Sequence, residues 1–158
     1  MSDTTTPTPT PPVKPKRSPT WATHELDTFL RSNANAKFVW GTLDCSLFAA
    51  DGVKALTGVD IADDFRGKYT DEVSAFALIK KVTGGATVAD AAAYCATKHG
   101  MTEWKYPLQA QRGDLVVVAN GGNLIAGIVD LSGKYVVALA DTGVLRISIQ
   151  NIKRAWKV

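Results

Sequence analysis

The stretch Phe38-Val39-Trp40-Gly41-Thr42-Leu43-Asp44-Cys45-Ser46-Leu47-Phe48 marks where the chain leaves a loop and enters a helix. Asp44 brings a carboxylate that can accept from the free N–H groups of a first helical turn. From there Cys45, Phe48, Ala49, Gly52, Val53 and Leu56 recur at the three-to-four spacing of a buried helical stripe. Gly58 then offers the left-handed stop that ends such a helix. Cys45 falls in the first turn, at the positive end of the helix dipole, where a thiol is drawn towards its nucleophilic thiolate form. On helix position alone, the plainer account is a small buried hydrophobe that opens an apolar stripe.

Outward from this helix, six of the seven prolines lie between Pro7 and Pro19. Residues 1–19 therefore read as a disordered or extended, Pro/Thr-rich arm, and residues 20–158 as one domain. Ser18-Pro19-Thr20 announces a first helix over Trp21 to about Arg31, with Leu26, Phe29 and Leu30 as its apolar face. On the other side, Asp60 to Tyr69 reads as a loop, whose Arg66-Gly67-Lys68-Tyr69 segment is too polar for a strand yet holds an aromatic able to anchor it. A third helix is expected from about Asp71 to Val82, ended by Gly84-Gly85. A fourth starts at Thr87, with Asp90 as capping-box partner, and runs to Gly100.

The period then changes. Leu115–Ala119, Leu124–Val129, Tyr135–Leu139 and Val144–Ile149 are β-rich runs parted by Asn120-Gly121-Gly122, Ser132-Gly133 and Asp141-Thr142-Gly143, with Arg154–Val158 as a last strand. Helices followed by an antiparallel meander predict an α+β fold, N-terminal helices packed on one face of a C-terminal antiparallel sheet.

Composition bounds the function. The 158 residues are 46% hydrophobic and 21% charged, enough for one real core. No run is apolar enough to span a bilayer, and the Thr/Pro-rich start lacks the apolar centre of a signal peptide, so a soluble protein made in the cytoplasm is expected. The net charge is +3, and Lys14, Lys16 and Arg17 place much of the excess in the arm. A solubilising tail explains this better than nucleic-acid binding. Cys45 and Cys95, with only two histidines, do not make a zinc set, so no metal or cofactor is expected and both thiols should stay reduced.

Trp40-Gly41 followed by Asp44-Cys45-Ser46 resembles the signature of NlpC-type cell-wall cysteine peptidases, which have a papain-like fold. Arg112-Gly113-Asp114-Leu115-Val116-Val117 resembles the segment opening their sheet, and Gly127-Ile128-Val129 resembles the next strand. The pattern is also similar to a phage and prophage protein family found among tail genes. That likeness rests on Trp40-Gly41, Asp44-Cys45, Phe48-Ala49-Ala50-Asp51, Thr57-Gly58, Arg66-Gly67-Lys68-Tyr69, Arg112-Gly113-Asp114, Gly127-Ile128 and Ala155-Trp156. The resemblance implies a papain-like, NlpC-type fold with Cys45 in the nucleophile position and Asp44 as the helix cap beside it.

The chain also departs from those enzymes. The position matching their catalytic histidine is Ile125, which cannot accept a proton, and Leu47 stands where a glycine usually follows Asp-Cys-Ser. On a strand facing the Cys45 helix, Asn123, Ile125 and Gly127 are expected to share the face a catalytic histidine would use. His24 and His99 read as surface residues, and Asp130 and Asp141, at strand ends, as turn residues or substitute bases. Arg112-Gly113-Asp114 reads as a structural turn rather than an adhesion tripeptide, and Trp40, Trp104 and Trp156 as core.

Two functions follow from the resemblance. One is a phage tail structural or adaptor protein, at the tail tip or baseplate, using a degenerate peptidase fold. The other is an active cysteine peptidase or amidase that cuts peptidoglycan stem peptides during DNA entry. A base supplied in trans by a partner subunit is a third route. The adaptor reading places the protein in the virion tail in several copies. Its partners would be other tail proteins, bound through arm residues Pro11, Pro12, Lys14, Lys16 and Arg17.

Overall fold

The computed structural model describes residues 11–158. The first ten residues of the expected arm lie outside the described residues. Residues 11–18 form no helix or strand, yet they are docked on the domain. Pro15 is buried, Ser18 N–H donates to Leu56 O at 2.8 Å, and His99 Nδ1 meets Val13 O at 2.8 Å. Arg17 does most. Its Nε donates to Val158 O (2.6 Å), Nη1 to Arg112 O (2.7 Å) and Nη2 to Asp114 Oδ1 (2.8 Å), and its guanidinium sits 4.1 Å from the Trp21 ring centroid. Reading Arg17 as a partner-facing cation is thereby corrected: Asp114 is only 2% exposed, and a carboxylate so deep needs a charge partner. Pro11, Pro12, Lys14 and Lys16 are exposed.

The chain enters its first helix through a π-helical turn, Trp21–Glu25, which runs into α1, Leu26–Ser32. The Thr20 hydroxyl does not cap it but donates to Glu25 Oε1 at 2.7 Å. α2 spans Cys45–Thr57, with Asp44 as N-cap and Gly58 as C-cap. Its buried side adds Leu47 and Ala50 to the expected stripe. α3 spans Glu72–Thr83 behind an Asp71/Ser74 capping box, and α4 spans Val88–Lys98 behind the expected Thr87/Asp90 box.

His99, the C-cap of α4, is buried at 5% exposure. This corrects its expected surface position. The helix end alone would leave it in water, but residues of the arm lie across it. Because a carbonyl only accepts, the ring proton sits on Nδ1, which donates to Val13 O.

Five strands follow: β1 Leu115–Asn120, β2 Asn123–Val129, β3 Tyr135–Ala140, β4 Gly143–Ser148 and β5 Ile152–Trp156. They form one antiparallel sheet in the order β4-β3-β2-β1-β5. The last strand begins at Ile152 rather than near Arg154, because a single 3₁₀ turn, Ile149–Asn151, suffices to bring the chain to the far edge of β1. That edge is covered: Trp104 N–H donates to Ala155 O and Lys157 N–H to Thr102 O, both at 2.8 Å.

The side chains of β1 and β2 alternate between two cores. Leu115, Val117, Ala126 and Ile128 belong to the core shared with α2 and α4. Their approach is close: a Cβ on Gly52 of α2 would lie 2.7 Å from Ile128 Cγ1. Val116, Val118, Val129 and Val136 form a second core on the other face, under Trp104, Ala110 and Ile149. The helix-facing set on β2 is therefore Leu124, Ala126 and Ile128. The expectation that Asn123, Ile125 and Gly127 face α2 is corrected by one residue, the slip that flips a strand. Helices on one side of a C-terminal five-stranded antiparallel sheet make the protein α+β.

Candidate functional site

The loop before α2 is built around one carboxylate. Asp44 is 1% exposed. Its Oδ1 accepts from Leu47 N–H at 3.0 Å, capping α2. Its Oδ2 accepts from Gly41 N–H at 3.2 Å and from the Tyr69 hydroxyl. Gly41 has φ of +78°, and a Cβ there would stand 1.9 Å from Tyr69 O, so only glycine fits. Gly67 N–H returns to Gly41 O at 3.1 Å. Next to this knot, Arg66 bonds Asp60 through Nε (2.9 Å) and Nη2 (3.1 Å), and Asp51 through Nη2 (2.8 Å). The separate sequence motifs around Gly41, Asp44, Asp51 and Arg66–Tyr69 thus close into one hydrogen-bonded frame at the start of α2.

Cys45 follows directly as the first residue of that helix. It is 8% exposed, and the polar side-chain atom near its sulfur is Ser46 Oγ, at 3.8 Å. Burial pushes the Cys45 thiol up, and the Asp44 carboxylate adds to this. Hydrogen bonding to the Ala126 backbone and to Ser46 pulls the other way without reversing the shift. The expected gain in thiolate from the helix N-terminus is therefore outweighed by desolvation.

Cys45 lines a cavity of about 530 Å³ between the helices and the sheet. Phe65, Ile79 and Cys95 belong to its apolar lining, and Phe38, Trp40 and Phe76 are partly exposed beside it. Phe38 and Trp40 meet edge to face, with centroids 4.8 Å apart. Glu72, Asn123 and Asp141 also line it and are exposed. On the sheet side the lining is Leu124, Ile125 and Ala126. Ile125 thus borders the cavity even though its strand position faces the second core.

Of the residues singled out as bases, Asp141 lines the cavity as an exposed carboxylate, and the others lie elsewhere or are occupied. His24 is exposed on the π-helical turn, and His99 is held under the arm. Asp130 Oδ1 accepts from Ser132 N–H and Oγ–H, and Oδ2 lies 3.3 Å from Arg146 Nη2, which is turn chemistry. Asp114 takes bonds from Arg17, Trp104, Gln111 and Val158, so the Arg-Gly-Asp segment is structural. Among the described residues no group of three or more His, Cys, Asp or Glu is placed to hold a metal. Both cysteines are free and buried. Tyr69 is the site residue whose partner went unread in the sequence. The available signal was its position as the aromatic of the polar Arg66–Tyr69 segment. Its phenol is held firmly protonated by burial and by the bond to Asp44.

The family model described as "Domain of unknown function (DUF6950)" matches residues 16–158, and the chain belongs to that family. No curated protein and no solved structure matches it.

Proposed function

We propose that this family member is a structural or adaptor protein of a phage tail, at the tail tip or baseplate, in which a degenerate papain-like, NlpC-type fold serves as a non-catalytic binding module. The observation that carries the non-catalytic part is the setting of Cys45. Its thiol is buried beside Ser46, with burial disfavouring the thiolate and Leu124, Ile125 and Ala126 on the opposing strand. Efficient acyl transfer by a thiol needs a base within hydrogen-bond reach; neither histidine lines this cavity, and the side-chain partner of the Cys45 sulfur is Ser46 rather than Asp141, which lines the cavity too. The tail assignment rests on the motif resemblance described above. The α+β order of helices before an antiparallel sheet is consistent with a papain-like fold. The cavity and its aromatic rim supply a surface for binding in place of chemistry.

The test is turnover. Purified protein is incubated with peptidoglycan stem peptides beside Cys45→Ala. No cysteine-dependent cleavage is expected. Cleavage by the protein alone, lost in Cys45→Ala, would replace this reading with the peptidase. Cleavage seen only with tail partners present would indicate a base donated in trans. In the phage, deletion of the protein should block tail assembly while Cys45→Ala leaves infectivity intact.

A further inference from the structure

Among the described residues the exposed large hydrophobics are Val13, Val39, Val73, Phe76, Tyr106, Leu108 and Tyr135. Apart from Val13 and Val39, they sort into two sets. Tyr106 (58% exposed), Leu108 (63%) and Tyr135 (40%) are one; Val73 (80%) and Phe76 (38%), three residues apart on α3, are the other. Surface hydrophobics scattered singly need no explanation, but grouped aromatic and aliphatic side chains are the composition of an interface centre.

The sets lie towards opposite ends of the sheet. Leu108 and Tyr135 line a shallow groove with Lys134, Ser148, Ile149 and Gln150, where β3 begins and β4 ends. Phe76 lines the Cys45 cavity together with Ala140 and Asp141, where β3 ends. The length of β3, roughly 17 Å at the usual rise per residue, separates the two ends. One chain therefore cannot bring them together.

Their charges are also opposed. At the first set, Lys105 lies 5.3 Å from the Tyr106 ring centroid and Arg146 lies 4.3 Å from that of Tyr135. Arg146 is paired with Asp130 at 3.3 Å, but among the described residues no carboxylate pairs with Lys105 or Lys134, which leave this end basic. At the second set Asp71, Glu72 and Asp141 are exposed. Lys37 and Lys68 flank that rim in sequence, so it is acidic by excess.

We propose that copies of this chain associate head to tail, the Tyr106, Leu108 and Tyr135 knob of one copy seating on Phe76, at the rim of the cavity, and on Val73 beside it on α3 in the next. A patch on one end that fits a pocket on the other makes a heterologous contact, which propagates into a ring or a filament. Basic groups around the knob then face the carboxylates around the rim, which fixes polarity. This rests on the cavity being a binding site rather than a catalytic one, and it makes the partner a second copy of the chain.

The experiment is sedimentation velocity across a wide protein concentration range, with Leu108→Glu at the knob and Val73→Lys beside the rim. Both positions are exposed, and circular dichroism checks that each variant is folded. The parent should show concentration-dependent assembly, and each variant should weaken it by roughly tenfold or more. An equimolar mixture should form a closed 1:1 complex, because one variant keeps its rim and the other its knob. A parent that stays monomeric throughout, or folded variants whose mixture does not pair, overturns the contact. The mixing result is independent of catalysis. Stem-peptide cleavage by the protein alone, together with a paired mixture, would remove the non-catalytic reading and leave the contact standing. An unpaired mixture without cleavage would remove only the contact.

Discussion

The Tyr69 phenol donates its hydrogen bond to Asp44, the carboxylate that caps the helix bearing Cys45. A loop residue 25 positions downstream thus fixes the N-cap. The cap in turn holds the turn through Gly41.

Removing either partner should cost more than an ordinary cap. Asp44→Ala deletes the acceptor of Leu47 N–H and leaves Gly41 N–H and the Tyr69 hydroxyl buried without it. A loss of about 2–4 kcal/mol is expected from the cap and the stranded donors together. Tyr69→Phe removes one bond to a charged group and should cost about 1.5–3 kcal/mol. Urea midpoints measure both. A Tyr69→Phe variant as costly as Asp44→Ala would mean the phenol, not the cap, carries the frame.

Gly41 and Gly58 have nearly the same backbone, with φ of +78° and +76°, but different surroundings. A Cβ on Gly41 meets Tyr69 O at 1.9 Å, while one on Gly58 meets nothing within 4 Å. Gly58→Ala should therefore cost only the left-handed penalty, about 1–2 kcal/mol. Gly41→Ala should fail to fold or lose well over twice that, since backbone must move. Equal effects on thermal midpoint would show that the Tyr69 contact relaxes freely.

Burial, aided by Asp64 and Asp63, pushes the Cys95 thiol from 9.0 up to about 12. A group whose pKa is raised by folding stabilises the fold below its unfolded value and stops doing so as pH rises through the folded one. Stability should fall between about pH 9 and pH 12, this thiol contributing at most about 1.4 kcal/mol per pH unit. Burial shifts Cys45 in the same direction. Denaturant midpoints at stepped alkaline pH check this, and Cys95→Ala should flatten the slope even where it lowers stability at neutral pH. An unchanged slope would assign the alkaline loss to other groups, Lys98 first among them.

Local chemistry was readable from sequence where it is short-ranged. Asp44, Asp71 and Thr87 open their helices and Gly58 and Gly84 close them, because a cap and its helix lie within four residues. The strands and their turns were legible for the same reason. What escaped depends on contacts across the chain. The inward face of β2 is set by Ile128 packing on Gly52, which no alternation pattern in β2 itself reveals. His99 is buried by Val13, 86 positions away. The role of Cys45 turned on how deeply the sheet covers it, and helix position says nothing of that depth.

The clasp at Arg17 makes the order of synthesis matter. Arg17 and Val158 are 141 positions apart, and at ordinary translation rates on the order of ten seconds separate their synthesis. Until β1 and β5 are in place, the guanidinium has neither Asp114 nor the Val158 carbonyl to bind. The Arg17 clasp is thus the last of the arm's contacts to close. A growing chain carries Arg17 unclasped until the sheet is complete, and its docking marks a finished domain.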